Sequence, residues 1–275
     1  MLIFNIMKQK KQIIIFTDLD GSLLDRETFR FDSIKNYILK LLKKEIFIVP
    51  NSSKTKKEIL IFNNELKKNL PIICENGSAI YGLNNLNKNL PDNIILSRDK
   101  DEIYKLFKKN IPKKLQLKCK FIHNMSEKKQ FDIMGLKGKA LNLSLKREYS
   151  IPFIFNDNKI QKKKFIKLVS LLGLSIHEGG RVLNLCDKVS KALAMKKLVK
   201  IYKKIDSKKL ITIGVGDNYN YLDMLKFSNF PCLVFNDKFK KDKINIKGCL
   251  VSTKSSPKGW EEVVKLALDK ANIKV

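Results

Sequence analysis

QIIIFTDLDGSLLD, residues 12–25, joins a continuous apolar run to a segment rich in aspartate. An apolar run such as Gln12–Thr17, with no polar alternation, is typical of a strand buried on both faces of a parallel sheet. Asp18 and Asp20 follow at once, and in strand geometry both side chains point the same way because the period is two. Ligands of open α/β sheets bind beyond the carboxyl ends of strands, so these two residues are predicted to lie at a ligand site.

The two neighbouring carboxylates indicate function. Two negative charges at the exit of a buried strand raise the free energy unless a cation joins them or one group holds a proton. Gly21 directly after them permits a sharp backbone turn. We therefore interpret Asp18 and Asp20 as a functional pair, in preference to a solvated turn.

Outward from this segment, strand and helix patterns alternate. The predicted elements are a helix around 34–42, a strand at Ile46–Val49, a helix opened by the capping box Thr55-x-x-Glu58, a strand at Pro71–Cys74, and, downstream, a helix at Ser190–Lys203, strands at Leu210–Gly214 and Cys232–Phe235, and a helix after Pro257. This order predicts an α/β protein with a Rossmann-like parallel sheet.

The middle of the chain differs in composition from the segments on either side. From about Gly82 to Leu185 the segments are more polar, with Lys-rich helices predicted at Asp101–Lys109 and Gln161–Leu172. The simplest account is an insertion into one sheet domain. The predicted organisation is a core from residues 1–82 and 187–275, with an inserted α/β domain at 83–186.

The net charge is +29, from 56 Lys and Arg against 27 Asp and Glu. Only five of the basic residues are arginine, the residue preferred for bidentate phosphate and base recognition: Arg26, Arg30, Arg98, Arg147 and Arg181. We interpret the excess as a solvated, lysine-biased surface whose positive field attracts anionic substrates, and expect no specific nucleic-acid partner.

The sequence lacks the features of membrane proteins, secreted proteins and zinc or histidine enzymes. No apolar run approaches the roughly 20 residues that span a bilayer, and the N-terminal residues lack the order of a signal peptide, so we expect a cytoplasmic protein without membrane partners. The five cysteines form no CxxC pair and there are two histidines, which leaves little material for zinc binding or histidine catalysis.

The motif Asp18-Leu19-Asp20-Gly21-Ser22 resembles motif I of the haloacid dehalogenase-like phosphatase superfamily. The superfamily's later motifs have counterparts in order: a Ser after the next strand (Ser52), a Lys opening a later helix (Lys191), and Gly-Asp after a strand (Gly216-Asp217). The inserted segment resembles the C2-type α/β cap of its sugar-phosphatase branch. The resemblance spans essentially the whole chain.

Shorter motifs resemble the mannosyl-3-phosphoglycerate phosphatase family. They are Ser52-Ser53-Lys54-Thr55 with Glu58, Glu75-Asn76-Gly77, Arg147-Glu148-Tyr149-Ser150 with Pro152, Gly179-Gly180-Arg181, and Gly259-Trp260. Each is weak alone, but five in order beside the superfamily motifs make a chance match improbable.

The resemblance implies a catalytic set and a cofactor. Asp18 would be the nucleophile that forms an aspartyl-phosphate, and Asp20 the general acid and then base. Ser52 would donate a hydrogen bond to the phosphoryl group, and Lys191 would offset its negative charge. Mg²⁺ would be held by Asp18, the main-chain carbonyl of Asp20, and Asp217.

The resemblance also implies a substrate-binding set. Its members would be Ser53, Lys54, Arg147, Glu148, Gly179, Gly180, Arg181 and Asn220. The two guanidinium groups suit the carboxylate of a glycerate, Glu148 suits sugar hydroxyls, and the glycines allow close backbone approach. The phosphorylated sugar would bind to a monomer or homodimer.

One position departs from the family pattern. Where the family has an Asn-Asp pair after the fourth-motif glycine, this chain has Asn220 followed by Tyr221, and Asn218 occupies a usual Ser position. Asp223 lies about 200° further round a helix and is a poor replacement. Either the missing acid weakens the binding of Mg²⁺, or Tyr221 packs against the cap or Lys191 and its ring has another role.

Three functions follow from the sequence. The first is Mg²⁺-dependent hydrolysis of mannosyl- or glucosyl-3-phosphoglycerate, as in the synthesis of a compatible solute. The second is a broader sugar-phosphate phosphatase of the same superfamily. The third is a non-catalytic or nucleic-acid-binding descendant, which the complete motifs and the absence of an aromatic stacking platform disfavour.

Overall fold

Strands and helices alternate along most of the chain, of which the computed structural model describes residues 11–218, 221–237 and 245–275. In chain order the elements are β1 (Lys11–Thr17), α1 (Asp32–Lys43), β2 (Phe47–Pro50), α2 (Lys56–Leu66), β3 (Ile72–Cys74), β4 (Ala79–Tyr81), β5 (Asn93–Ile95), α3 (Lys100–Asn110), α4 (Lys113–Gln116), β6 (Cys119–Phe121), α5 (Glu127–Met134), α6 (Gly138–Leu145), β7 (Ser150–Phe155), α7 (Lys159–Leu171), β8 (Leu174–Glu178), β9 (Leu183–Asp187), α8 (Lys191–Ile205), β10 (Lys209–Gly216), α9 (Leu222–Phe227), β11 (Phe230–Phe235), β12 (Leu250–Ser255) and α10 (Lys258–Lys270).

A five-stranded parallel sheet, in the order β12-β11-β10-β1-β2, contains four of the five strands predicted for the core, which are β1, β2, β10 and β11. The fifth, predicted at Pro71–Cys74, corresponds to β3 and pairs with β4 in a separate antiparallel sheet, because a short apolar run predicts a strand but does not define its partners. Strand β1 lies inside the parallel sheet, and Ile13–Phe16 are at most 4% exposed. Burial of both strand faces explains why this run lacks polar alternation. The α/β class with a central parallel sheet is therefore confirmed.

The C-terminal helix α10 is fixed to the centre of this sheet. Trp260 is fully buried, and its indole Nε1 donates a hydrogen bond to Thr17 Oγ1 at 2.9 Å. A Cβ atom on Gly259 would overlap the carbonyl oxygen of Lys254, so glycine is needed where the helix begins beside β12. The Gly259-Trp260 motif thus has a structural role directly behind the strand that leads to Asp18.

The inserted segment contains a four-stranded antiparallel sheet, in the order β6-β7-β9-β8. Helices α3 and α7 contribute to its hydrophobic core, in which Phe107, Phe121, Phe153 and Phe165 contact one another in edge-on or tilted pairs. The predicted helices Asp101–Lys109 and Gln161–Leu172 correspond to α3 and α7 within two residues. A separate three-stranded antiparallel sheet has the order β3-β4-β5.

The chain forms two compact units. One comprises the residues up to Pro50, Leu86–Leu90 and Met195–Val275, and the other comprises Asn51–Asn85 and Pro91–Ala194. Residues 51–85 group with the insertion because they are hydrogen-bonded to it: Thr55 Oγ1 donates to the Leu143 carbonyl at 3.0 Å, and the Glu75 carboxylate accepts the main-chain N–H groups of Glu148 and Tyr149. The division into 1–82, 83–186 and 187–275 stays a prediction.

Among the residues that the structure describes, no helix is both long enough and apolar enough to cross a bilayer.

Candidate active site

Asp18 and Asp217 leave the sheet side by side. They follow the adjacent parallel strands β1 and β10, in which Thr17 is paired with Val215, and the Asp18 N–H donates to the Val215 carbonyl at 2.9 Å. Asp18 is 2% exposed and Asp217 is 1% exposed. Two carboxylates so deeply buried at one sheet edge need positive charge or strong donors nearby.

The turn after Asp20 is held by main-chain hydrogen bonds and depends on Gly21. The N–H groups of Ser22 and Leu24 both donate to the Leu19 carbonyl, at 3.1 and 2.8 Å. Gly21 has φ +76°, and a Cβ atom there would lie 2.8 Å from Asp217 Oδ2. The glycine therefore serves both the turn and the approach of Asp217, whereas the sequence pattern indicated only the turn.

Tyr221 packs against these acids. A Cβ atom on Gly216 would lie 2.7–2.8 Å from the Tyr221 side chain, so the ring rests directly on that glycine. The Tyr221 hydroxyl donates a hydrogen bond to Asp18, and burial together with the charges of Asp18 and Asp217 holds the pKa of Tyr221 well above its ordinary value. The phenol stays protonated at neutral pH. The ring is packed, but the contacts described for it are with Gly216 and Asp18, whereas the sequence had indicated the cap or Lys191.

We expect Tyr221→Phe to lower the free energy of unfolding by about 1.5–3 kcal/mol, because it removes a buried donor to a charged acceptor. Tyr221→Asp should be destabilised further, since it loses the ring contact with Gly216 and adds a third carboxylate beside Asp18 and Asp217. Urea unfolding of the wild type and both variants measures this order. An aspartate variant as stable as the wild type would contradict the packing role.

Asp217 also binds three nitrogen donors. Arg26 forms an ion pair through Nη2 with Asp217 Oδ2, and Asn236 Nδ2 donates to the same oxygen at 3.2 Å. Asn218 Nδ2 donates to Asp217 Oδ1, also at 3.2 Å. The sequence analysis did not assign Arg26 or Asn236 to the site. The scarcity of arginine, with one of the five just after motif I, was the available signal for Arg26.

The donor chemistry of the predicted metal ligands fits Mg²⁺. The carboxylates of Asp18 and Asp217 and the carbonyl of Asp20 offer oxygen only, which Mg²⁺ prefers over nitrogen or sulfur. Within the described ranges, no three His, Cys, Asp or Glu side chains gather closely enough to bind a metal ion between them. A magnesium ion here would depend on the main-chain oxygen and on phosphate or water for its remaining ligands.

Ser52 lies in the other unit, in a tightly bonded turn. Its N–H donates to the Ile73 carbonyl and its own carbonyl accepts from the Asn76 N–H, both at 3.0 Å. The Ser52 hydroxyl oxygen accepts the Lys54 N–H at 3.2 Å, just before the predicted capping box of Thr55 and Glu58 opens α2. Ser52 is 1% exposed, so its side chain is buried at this turn.

The turn Glu75–Gly77 links Ser52 to Lys191. All three of its residues have positive φ, between +46° and +96°. A Cβ atom on Gly77 would overlap the Ser190 carbonyl oxygen, and Asn51 Nδ2 donates to the Lys191 carbonyl at 3.1 Å. The turn and Asn51 thus bring the Ser52 loop against the first residue of α8. Asn51 had no signal in the sequence beyond its place before Ser52.

Arg147 and Glu148 are fixed by the same turn. The Glu75 carboxylate accepts the N–H of Glu148 at 2.9 Å and the hydroxyl of Ser150 at 2.6 Å. Arg147 is 8% exposed, and its Nη1 donates to the Ser53 carbonyl and to Ser150 Oγ at 3.1 and 3.0 Å. Arg147 therefore ties the Ser53 loop to β7, while the Glu148 carboxylate accepts a hydrogen bond from the Tyr81 hydroxyl at 3.2 Å.

Arg181 has different surroundings from Arg147. It follows Gly179 and Gly180 in the turn between β8 and β9, and its Nη1 donates to the Met134 carbonyl at 2.6 Å, over Gly135 at the end of α5. The Lys54 ammonium lies 4.0 Å from the Glu58 carboxylate. Asn220, also predicted to bind substrate, lies outside the described residues.

Comparisons with known proteins identify the family and the fold of this chain. The family model of haloacid dehalogenase-like hydrolases matches residues 15–241. A glucosyl-3-phosphoglycerate/mannosyl-3-phosphoglycerate phosphatase of Persephonella marina is 30% identical, over 92% of this chain and 96% of its own. One of the same name from Methanococcoides burtonii is 29% identical, over 94% and 98%. A solved haloacid dehalogenase subclass IIB sugar phosphatase is similar in fold, with a TM-score of 0.62, 17% identity, and coverage of 96% of this chain and 100% of its own.

Proposed function

Since this chain belongs to the haloacid dehalogenase-like hydrolases and is a phosphoric monoester hydrolase, we propose that it hydrolyses mannosyl-3-phosphoglycerate or glucosyl-3-phosphoglycerate in a Mg²⁺-dependent reaction. The observation that carries the chemistry is the buried pair Asp18 and Asp217 at the ends of adjacent parallel strands. The names of the two relatives support this choice of substrate. A cytoplasmic location and a monomer or homodimer are our further expectations.

The reaction proceeds by two displacements at phosphorus. A carboxylate oxygen of Asp18 attacks the phosphorus atom, and the bond from phosphorus to the glycerate oxygen breaks to leave an aspartyl-phosphate. Asp20 gives its proton to the departing oxygen. Asp20 then takes a proton from water, the water oxygen attacks phosphorus, and the Asp18 carboxylate and inorganic phosphate are released.

Three other residues stabilise the charge that develops. Ser52 donates its hydroxyl hydrogen to a phosphoryl oxygen, and the Lys191 ammonium offsets the negative charge. Asp18, the Asp20 carbonyl and Asp217 would hold Mg²⁺, which supplies charge neutralisation and orientation of the phosphoryl oxygens when bound. The hydrogen bonds that fix the Ser52 turn and the start of α8 support these roles, because rigid donors lose little energy in reorganisation.

The remaining proposed contacts recognise the glycosylglycerate. Arg181 binds the glycerate carboxylate, Glu148 binds sugar hydroxyls, and Gly179 and Gly180 let the main chain approach the ligand. Lys54, Ser53 and Asn220 complete the proposed set. Arg147 already donates to two protein oxygens, so its contribution is the position of the Ser53 loop in addition to any contact with the substrate.

The second candidate function is a phosphatase of simpler sugar phosphates. The observation that favours it is that Arg181 donates to a main-chain carbonyl of α5 and Arg147 to Ser53 and Ser150, so both guanidinium groups have protein partners. A screen of phosphate release with Mg²⁺ tests the choice. Turnover of either glycosyl-3-phosphoglycerate well above that of hexose phosphates supports the first function, and the reverse order supports the second.

We expect Arg181→Gln to raise KM for the glycosyl-3-phosphoglycerate about 10- to 150-fold. This change corresponds to the loss of one hydrogen bond to a charged group, which contributes about 1.5–3 kcal/mol. KM for a hexose phosphate, which has no carboxylate, should stay the same. Arg98→Gln is the matched control, because this half-exposed arginine of the same unit is paired with Asp187. Equal changes of KM on both substrates would refute a carboxylate contact.

A further inference from the structure

Arg26 is bound to one carboxylate oxygen of Asp217, which is a proposed ligand of magnesium. Its guanidinium is paired with Asp217 Oδ2, and its Nη2 would lie 2.7 Å from a Cβ atom on Gly21. The ion pair with Asp217 and the proximity to Gly21 of the motif I turn therefore both place this guanidinium at the acid cluster. Neither Asp217 nor Gly21 is a residue that the proposed reaction assigns to substrate binding.

The two side chains of this ion pair differ in their exposure to solvent. The Asp217 side chain is 1% exposed, whereas that of Arg26 is 44% exposed. A carboxylate buried to this degree needs a positive partner, because an isolated buried charge strongly destabilises the folded state. Arg26 lies on an exposed turn after motif I, so its side chain reaches solvent by rotation about its own bonds without a change in the sheet.

A metal ion and this guanidinium compete for the same oxygen. Direct coordination of Mg²⁺ by Oδ2 requires a distance of about 2.0–2.1 Å, which leaves no room for a guanidinium nitrogen in contact with that atom. Two cations beside one carboxylate also repel each other. Binding of the ion at Oδ2 and pairing of Arg26 are therefore mutually exclusive, and each weakens the other by the same factor.

We propose that Arg26 is an internal competitor of Mg²⁺ for Asp217, which neutralises the buried carboxylate without metal and lowers the affinity of the site for the ion. The inference rests on the proposed magnesium site of this phosphatase. Arg26 lies outside the motifs that define the site. If it competes in this way, the concentration of Mg²⁺ needed to fill the site depends on one exposed arginine.

The test is calorimetric titration of Mg²⁺ into the full-length, substrate-free protein and its variants. Arg26→Gln should bind Mg²⁺ more tightly by roughly 5- to 150-fold, the usual range of coupling between two sites. Arg26→Lys keeps the positive charge and should stay close to the wild type. Arg30→Gln is the matched control, because Arg30 lies four residues on, is paired with the exposed Asp32, and its loss changes the net charge equally.

Thermal unfolding gives a second measurement. Without Mg²⁺, Arg26→Gln should unfold at a lower temperature than Arg30→Gln, and saturating Mg²⁺ should stabilise it more than it stabilises the wild type. Equal Mg²⁺ affinity in the wild type, Arg26→Gln and Arg30→Gln would overturn the role of Arg26 alone. Absence of Mg²⁺ binding in all of them would overturn the proposed metal site as well. Equal tightening in Arg26→Lys and Arg26→Gln would show that charge is not the competing property.

Discussion

Asp18→Asn should abolish turnover, with a loss on the order of 10⁶-fold as for nucleophiles in other covalent mechanisms. The amide oxygen carries no negative charge and cannot form the aspartyl-phosphate on which the two-step route depends. The fold should persist, because asparagine has the same shape and its oxygen still accepts the hydrogen bond from Tyr221. Phosphate release at saturating substrate and Mg²⁺ is the measurement.

Asp223→Asn is the control for this loss. Asp223 lies two residues after Tyr221 and is exposed, so the same chemical change near the site should leave turnover essentially unchanged. Circular dichroism and urea unfolding establish that both variants are folded. An Asp18→Asn protein with turnover near that of the wild type would exclude Asp18 as the nucleophile.

Asp20→Asn should lose about 10²- to 10⁴-fold in turnover of a glycosyl-3-phosphoglycerate, the usual contribution of a positioned general acid. The loss arises because the departing alkoxide is a strong base and needs a proton as the bond to phosphorus breaks. On an aryl phosphate with an acidic phenol as leaving group, the loss in the first step should be much smaller. Asparagine keeps the shape of the turn, which main-chain bonds to Leu19 hold.

Pre-steady-state kinetics of Asp20→Asn with an aryl phosphate separate the two steps. A rapid burst of phenol followed by slow phosphate release is expected, because Asp20 also serves as the base for water in the second step. Equal losses for alkyl and aryl substrates in the first step would show that Asp20 is not the acid.

The sequence predicted the sheet well where burial alone decides the structure. Strand β1 was expected at Gln12–Thr17 and begins one residue earlier, and β10 extends one residue before and two after the expected Leu210–Gly214. Both are apolar on two faces, so neither a turn nor an amphipathic helix competes with them. Strand β12 was not predicted, because its sequence LVSTKS is polar and its second half is exposed.

Residues whose role depends on distant contacts were beyond prediction. Nothing local distinguishes Glu75 from a turn residue, yet its carboxylate binds the main chain of residues more than 70 positions away. The ion pair of Arg26 with Asp217 spans 191 positions, and the bond from Asn51 to Lys191 spans 140. Such pairs are defined by tertiary structure and leave no periodic pattern in the sequence.

The pairing of β1 with β10 has a consequence for biosynthesis. Thr17 is the partner of Val215, so the central strand is synthesised long before its neighbour on that side exists. At roughly 5–20 residues per second, the ribosome needs about 10–40 s to supply β10. Over that interval an apolar strand with an open edge is exposed to other nascent chains, and we expect the yield of soluble protein to depend on chaperones that bind it co-translationally.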